Sequence, residues 1–525
     1  MRWVVLFIGL VLSLAAPARA EWYEASGEHF VVYANDTASD ITRFASQLER
    51  FHAGIELVTG VRMETPSPSN RVTVYVVRSE AEVRRLYGNK AARIGGFYAP
   101  RAGGSLAIVP QVNSASRDLD WSMQVLLHEY AHHFAYATSE FPLPRWLAEG
   151  SAEFFASARF EPDGTMWLGR PAQHRAAELF QLRNITVSEL VDPDSARKRN
   201  PASYDSFYGK SWLLYHYLAF SPARSGQIAA YARALGRGAS SPDAARDAFG
   251  DLDALERELD GYLQQRQIQA FKIPPSRLQA ASPRLRLLRE GEIAIMPVRV
   301  RSRLGVDAEQ AARLLVDARA VAARHAGDPA VLAALAEAEF DAGNDAAALA
   351  AADAALAIDS ATVDAHVQKG YALFRMAAEA EDRDAAYRRA RGAFVRLNRL
   401  ENDHPVPLYY FFQVHAASGQ PMPPLAVDGL RQAIALAPFD RAMRMTLASY
   451  LIGQRAFGEA RRTLGPVAFD PHSGPYAGAA RRLIDKMQAE PDWDGRDIGS
   501  VIAQEEAEEP SGASAALVRA RSGPG

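Results

Sequence analysis

Residues 126–156 read LLHEYAHHFAYATSEFPLPRWLAEGSAEFFA, and they hold the pentamer His128-Glu129-Tyr130-Ala131-His132. The apolar spacing on either side predicts one helix over about 119–137 and a second over about 144–156. On the first, His128 and His132 stand four residues apart, one turn along the same face, so both imidazoles reach a single ion. Glu129 is turned by ~100° from His128. That sets its carboxylate beside the ion rather than on it, where a base acting on water belongs. His133 falls off the ligand register and reads as ordinary helix surface, and Arg145 is given no role. There is no cysteine, so any metal must be held by His and carboxylates.

Seventeen residues after His132 comes Glu149, within Trp146-Leu147-Ala148-Glu149-Gly150-Ser151-Ala152-Glu153. This W-L-x-E-G-x-A segment, following H-E-x-x-H, resembles the gluzincins, the thermolysin-like and aminopeptidase-like zinc metallopeptidases. The resemblance spans roughly residues 21–269. It implies a zinc ion, one per chain, held by His128, His132 and Glu149, with the fourth position left for water. It further implies that Glu129 is the general base and that Glu153, one turn beyond Glu149, orients a ligand His from behind. The segment from Tyr208 (Tyr-Gly-Lys-Ser-Trp) resembles the aminopeptidase segment whose Tyr steadies the oxyanion. That role is carried to Tyr208, with Tyr204 as the alternative. The chain departs from the aminopeptidases at residues 95–99 (GGFYA), where their amine-binding acid is missing. The edge strand that pairs with substrate is expected within 99–109.

Outward from this centre the sequence is mixed α/β. Strands are expected at 29–34 and 71–77, a helix at 38–57, a hairpin over 95–110 and a turn at Pro162-Asp163-Gly164. Helical pattern continues to about residue 273. At the front, Arg2, an apolar run over 3–16 and the small residues Ala18 and Ala20 form a secretory signal pattern. The expected location is therefore periplasmic or secreted, with no transmembrane segment after cleavage. Basic and acidic side chains nearly balance, 59 against 62. No basic excess supports a nucleic-acid partner.

Residues 273–305 are punctuated by Pro and Arg and read as a linker. Over 306–490 Ala-rich amphipathic stretches alternate with polar breaks near residues 328, 359, 403, 438 and 470. Their spacing scatters around the ~34-residue period of tetratricopeptide repeats, with one repeat lengthened near 377–383. Residues 491–525 read as a disordered tail. The expected fold is thus α+β, a gluzincin-type metallopeptidase domain over 21–272 followed by an all-α tetratricopeptide-like solenoid. The expected function is hydrolysis of a peptide or protein substrate, with a protein partner on the repeats. Two other readings stand beside it. One is a non-catalytic repeat scaffold with a structural or retired zinc site. The other keeps the chemistry but acts on an amide in a cell-wall peptide. A purely structural zinc has no need of Glu129.

Overall fold

The computed structural model describes residues 21–503 except 89–94, 112–115, 117–118, 140, 183, 194, 196–204 and 471–475. The signal pattern at 1–20, Tyr204 and the chain beyond 503 lie outside the described residues.

The first unit is built on a mixed sheet. Its strands are β1 (Glu21–Ser26), β2 (Phe30–Asp36), β3 (Val72–Val77), β4 (Phe97–Ala99), β5 (Leu106–Pro110) and β9 (Arg284–Leu287). They lie in the order β4-β5-β3-β2-β1-β9, with β2, β3 and β5 parallel. Side chains alternate across a strand. Phe30, Val32 and Ala34 therefore face α1 (Ala38–Thr59) and α3 (Trp121–Thr138), while Val31 and Tyr33 face the other way. Both faces are covered, which is why β2 reads as the unbroken apolar run FVVYA. The edge strand expected within 99–109 is instead β4, at Phe97–Ala99, and β5 is interior, paired on both sides.

Between the strands lies α2 (Glu80–Tyr87), and after α3 comes α4 (Arg145–Ala156). A small antiparallel sheet follows, of β6 (Arg159–Phe160), β7 (Met166–Leu168) and β8 (Phe271–Ile273). Helices α5 (Val187–Val191), α6 (Phe207–Phe220), α7 (Gln227–Gly236), α8 (Ser241–Phe249) and α9 (Leu252–Leu263) complete the unit. Helix α4 packs between α3 and α6.

Residues 273–305 are not a linker. They supply β9, which pairs antiparallel with β1 from Tyr23↔Leu287 to Ser26↔Arg284. They also supply α10 (Glu290–Leu304), in which Pro297 is accommodated inside the helix. Met296, Val300 and Leu304 of α10 pack on Val31, Tyr33, Tyr75, Leu106 and Ile108 of the sheet. Each such side chain contributes ~1.5–3 kcal/mol on full burial. This helix closes the second face of the sheet and opens the helical stack.

The stack continues through α11 (Ala308–Arg324), α12 (Pro329–Asp341), α13 (Asp345–Ile358), α14 (Val363–Ala378), α15 (Arg383–Leu400), α16 (Pro405–Ser418), α17 (Pro424–Leu436), α18 (Arg441–Gly453), α19 (Phe457–Ala468), α20 (Ala477–Ala489) and α21 (Ile498–Ala503). Each helix packs on the next, and α10, α12, α14 and α16 also pack on one another. Short connections turn each helix back along its predecessor, which gives the stacked hairpins of a tetratricopeptide-like repeat. The polar breaks near 328, 359, 403 and 438 fall at the connections. The lengthened repeat has no inserted loop. Its extra residues extend α14 to 16 residues and α15 to 18.

The tail begins later than expected, because Trp493 and Val501 are buried against α18–α20. The repeats also do not stand apart from the sheet. Glu401 accepts from the Ser69 backbone N–H at 2.9 Å and from its hydroxyl at 2.8 Å. Asn70 Nδ2 donates to the Leu436 carbonyl at 2.7 Å, and the Ala102 N–H to Asp440 at 3.0 Å. The turn between β4 and β5 meets α16 so closely that a Cβ on Gly103 would stand 2.9 Å from Val406. Gly103 also has φ +73°, so no other residue fits there without strain. Among the described residues no helix is long and apolar enough to cross a membrane.

Candidate metal centre

Helix α3 is started by Asp120, whose carboxylate accepts from the Met123 N–H at 2.8 Å. Two turns on, His128 and His132 point the same way, and their Nε2 atoms stand 3.1 Å apart. Glu149 arrives from α4, with its Oε2 3.3 Å from each Nε2. Gly150 explains how α4 comes so deep. A Cβ there would lie 2.4 Å from the Ser211 carbonyl oxygen of α6, so the crossing of the two helices requires glycine.

These separations fit a metal. A tetrahedral ion with bonds of ~2.0–2.1 Å sets its ligand atoms ~3.3–3.4 Å apart. The carboxylate of Glu149 is fully buried, and neither of its oxygens has a well-formed hydrogen bond among the described residues. Two ring nitrogens and a carboxylate oxygen this close need a cation among them. Burial opposes charge on His128, yet Glu149 and Glu153 together raise its pKa to about 10. A proton there stands where a metal ion would bind. Burial likewise works against the Glu149 carboxylate, but the two imidazoles hold its pKa well below the usual range.

Glu153 lies behind His128 rather than His132, with its Oε1 3.4 Å from His128 Nδ1. It is held by two residues that the sequence reading did not single out. His174 Nε2 is 2.6 Å from one of its oxygens, and Arg175 Nη2 donates to the other at 2.6 Å. Arg175 also bonds Glu178 at 2.9 Å, and Glu178 accepts from the Gly209 N–H at 2.7 Å. This chain of charges ties the His–His–Glu cluster to the first turn of α6. Tyr208 sits on that turn, its ring 4.6 Å from the Arg175 guanidinium carbon. Burial, and then the charge of Glu149, raise its pKa. Arg145, given no role from the sequence, is exposed and lies over Phe207 at 4.2 Å and approaches Tyr208 at 5.9 Å.

His133 is not helix surface. It is buried, with Nδ1 2.5 Å from the Tyr98 hydroxyl of β4 and its ring stacked on Tyr130. Phe439 of the repeats covers it at 4.6 Å. Glu129 stands on the same side of α3, half-buried. After burial, its negative charge is a further cause of the raised pKa of Tyr98.

The chain therefore combines a His–His–Glu cluster on two crossing helices with a stack of helical hairpins. Residues 122–237, which contain that cluster, match a family described as "Protein of unknown function (DUF1570)". No curated protein matches the chain. Among solved structures it is similar to a thermophilic TPR protein of Thermus thermophilus, at 16% identity over 41% of this chain and 96% of that one, with a TM-score of 0.29. It is also similar to YrrB, a TPR protein with an unusual peptide-binding site, at 18% identity over 37% and 93%, with a TM-score of 0.27. The repeat packing described above comes from the helices of this chain alone.

Proposed function

We propose that the chain is an exported zinc-dependent hydrolase of peptide bonds whose helical repeats hold a protein or peptide partner. The observation that carries this reading is the cluster of His128, His132 and Glu149 with Glu129 next to it but not in it. Zinc, when bound, supplies a Lewis acid that acidifies water and polarises a carbonyl. Glu129 accepts the proton of the attacking water and passes it to the leaving amine. Glu153, fixed by His174 and Arg175, holds His128 in one tautomer and orientation. Tyr208 donates a hydrogen bond to the oxyanion as it forms. Export rests on the signal pattern at residues 1–20.

The helical stack supports a second reading, a binding scaffold whose metal site is structural or retired. One substitution separates the two. Glu129→Gln keeps the size of the side chain but cannot take a proton. Hydrolysis of a peptide library, followed by mass spectrometry, is expected to fall by ~10²–10⁴-fold. Zinc content and melting temperature should match wild type. Undiminished cleavage by the zinc-loaded variant would overturn the mechanism, and a wild type that cuts nothing leaves the scaffold.

A further inference from the structure

Arg145 opens α4 and is followed at one-turn intervals by Glu149 and Glu153, so the three share one face of that helix. The face that buries Glu149 against His128 and His132 thus ends, one turn earlier, in an exposed arginine. Helical side chains lean toward the N-terminus. The guanidinium accordingly reaches away from the cluster to the first turn of α6, where it lies over Phe207 and beside Tyr208.

Two arginines flank Tyr208, in different circumstances. Arg175 is bound to Glu153 at 2.6 Å and to Glu178 at 2.9 Å. Arg145 has no carboxylate partner among the described residues. Its guanidinium carbon stands 4.2 Å from the centre of the Phe207 ring and 5.9 Å from that of Tyr208. A guanidinium held over an aromatic face is fixed in place while its fork of N–H donors stays able to pair. The Tyr208 hydroxyl feels both ends of this arrangement. Burial and then the charge of Glu149 raise its pKa, and Arg145, followed by Arg175, works against them. Arg145 therefore stands beside the group assigned to the oxyanion, as an exposed cation that no described acid pairs with. Its planar fork suits a carboxylate, which it can hold by two parallel charge-assisted bonds.

We propose that Arg145 is a specificity-determining residue, the receptor for a substrate carboxylate close to the bond that is cut. This rests on the peptidase reading, which sets Tyr208 at the carbonyl under attack. An extended peptide covers the 5.9 Å between the Tyr208 ring and the guanidinium carbon in about two residues at ~3.3 Å each. The preferred substrate therefore carries an acidic group within about two residues of the cleaved bond. The group is either the terminal carboxylate or an Asp or Glu side chain. The first source makes the enzyme trim the C-terminus of a peptide, and the second makes it cut next to an acid within one.

The test uses the full zinc-loaded chain bearing Glu129→Gln, which should bind without cutting. Fluorescence polarisation is read for ten-residue peptides in matched pairs: free C-terminus against amide, and internal Glu against Gln. At least one acidic peptide should bind about ten-fold or more tighter than its neutral twin, and the pair that responds identifies the source of the carboxylate. Adding Arg145→Gln should abolish the difference, and Arg145→Lys should keep part of it, because a point charge replaces the fork. Arg145 is exposed, so the melting temperature of both variants should match the parent. If the Gln variant fails to fold, the Lys variant decides. Equal binding of the twins by the parent overturns the receptor. So does a preference that survives Arg145→Gln, as it would if the metal alone held the carboxylate. With Glu129 restored, Arg145→Gln should raise KM for the acidic peptide about ten-fold and move kcat less. A fall in kcat on both twins alike would put Arg145 at the oxyanion instead and overturn the receptor. A wild type that cuts peptides without regard to acid sinks the receptor and leaves the hydrolase. One that cuts none, yet binds acidic peptides through Arg145, sinks the hydrolase and leaves the receptor.

Discussion

The two sides of helix α3 are wired differently. Toward α4, charged groups are matched to one another: His128 and His132 to Glu149, His128 to Glu153, Glu153 to His174 and Arg175. Toward the repeats the contacts are a tilted aromatic pair, His133 with Phe439, and a water-sized cavity lined by Tyr136, Pro142, Arg444 and Phe469, where Arg444 donates to the Pro438 carbonyl rather than to a carboxylate. The first side is closed by residues within about fifty positions of one another. The second needs residues some three hundred positions further on. The first side is held by matched charges, the second by packing against a distant part of the chain.

The largest expected effect lies on the closed side. Glu149→Ala removes one of the three proposed ligands and should abolish tight zinc binding, as should His128→Ala. Glu153→Ala should weaken it only ~10–100-fold, because Glu153 acts through His128. Zinc titrations giving the opposite order would break the assignment of Glu149 as ligand and Glu153 as its support.

A smaller effect tests whether the repeats are part of the same folded body. Glu401 is buried and accepts two hydrogen bonds from Ser69. Hydrogen bonds to charged groups contribute ~1.5–3 kcal/mol, so Glu401→Ala should destabilise the whole chain by about that much in urea unfolding. A first transition belonging to the repeats alone, with the sheet unaffected, would show that the junction is loose.

The smallest concerns Asp328, which binds Arg289 at 2.8 and 2.9 Å where the repeats begin. Burial works against its charge, but Arg289 prevails and holds its pKa below the usual carboxylate value. A carboxylate with a depressed folded pKa stabilises fully above its unfolded pKa, ~3.9, and loses that contribution as pH falls through the folded one. The stability gap between wild type and Asp328→Asn should therefore be constant above about pH 5 and shrink below pH 4. A gap unchanged down to pH 3 would remove the pair from the account.

What the sequence made legible follows this division. His128, Glu129 and His132 could be placed beforehand because helical spacing fixes who shares a face over a few turns, whereas Glu149, on another helix, came only from the resemblance carried by its W-L-x-E-G segment. The strands β2 and β3 were visible as apolar runs. His174 and Arg175 were not, since they reach Glu153 through a non-periodic turn that leaves no spacing to read. His133 was misjudged because its cover, Phe439, belongs to another part of the chain. Residues 273–305 looked like a linker on the strength of their prolines and arginines. The stripe of Ile293, Met296, Val300 and Leu304 was nonetheless there at i, i+3, i+7 and i+11, marking a helix with an apolar side to bury.

The pairing of β1 with β9 also sets an order of events. Tyr23 finds β2 within a dozen residues but waits for Leu287. That wait lasts until a further 264 residues, from Tyr23 to Leu287, have emerged. Throughout it β1 presents an unpaired row of backbone groups, an invitation to mispairing. The second face of the sheet stays bare until α10 follows. The vulnerable species in the life of this protein is thus the half-made chain, complete through its His–His–Glu cluster and still lacking the strand and helix that close it.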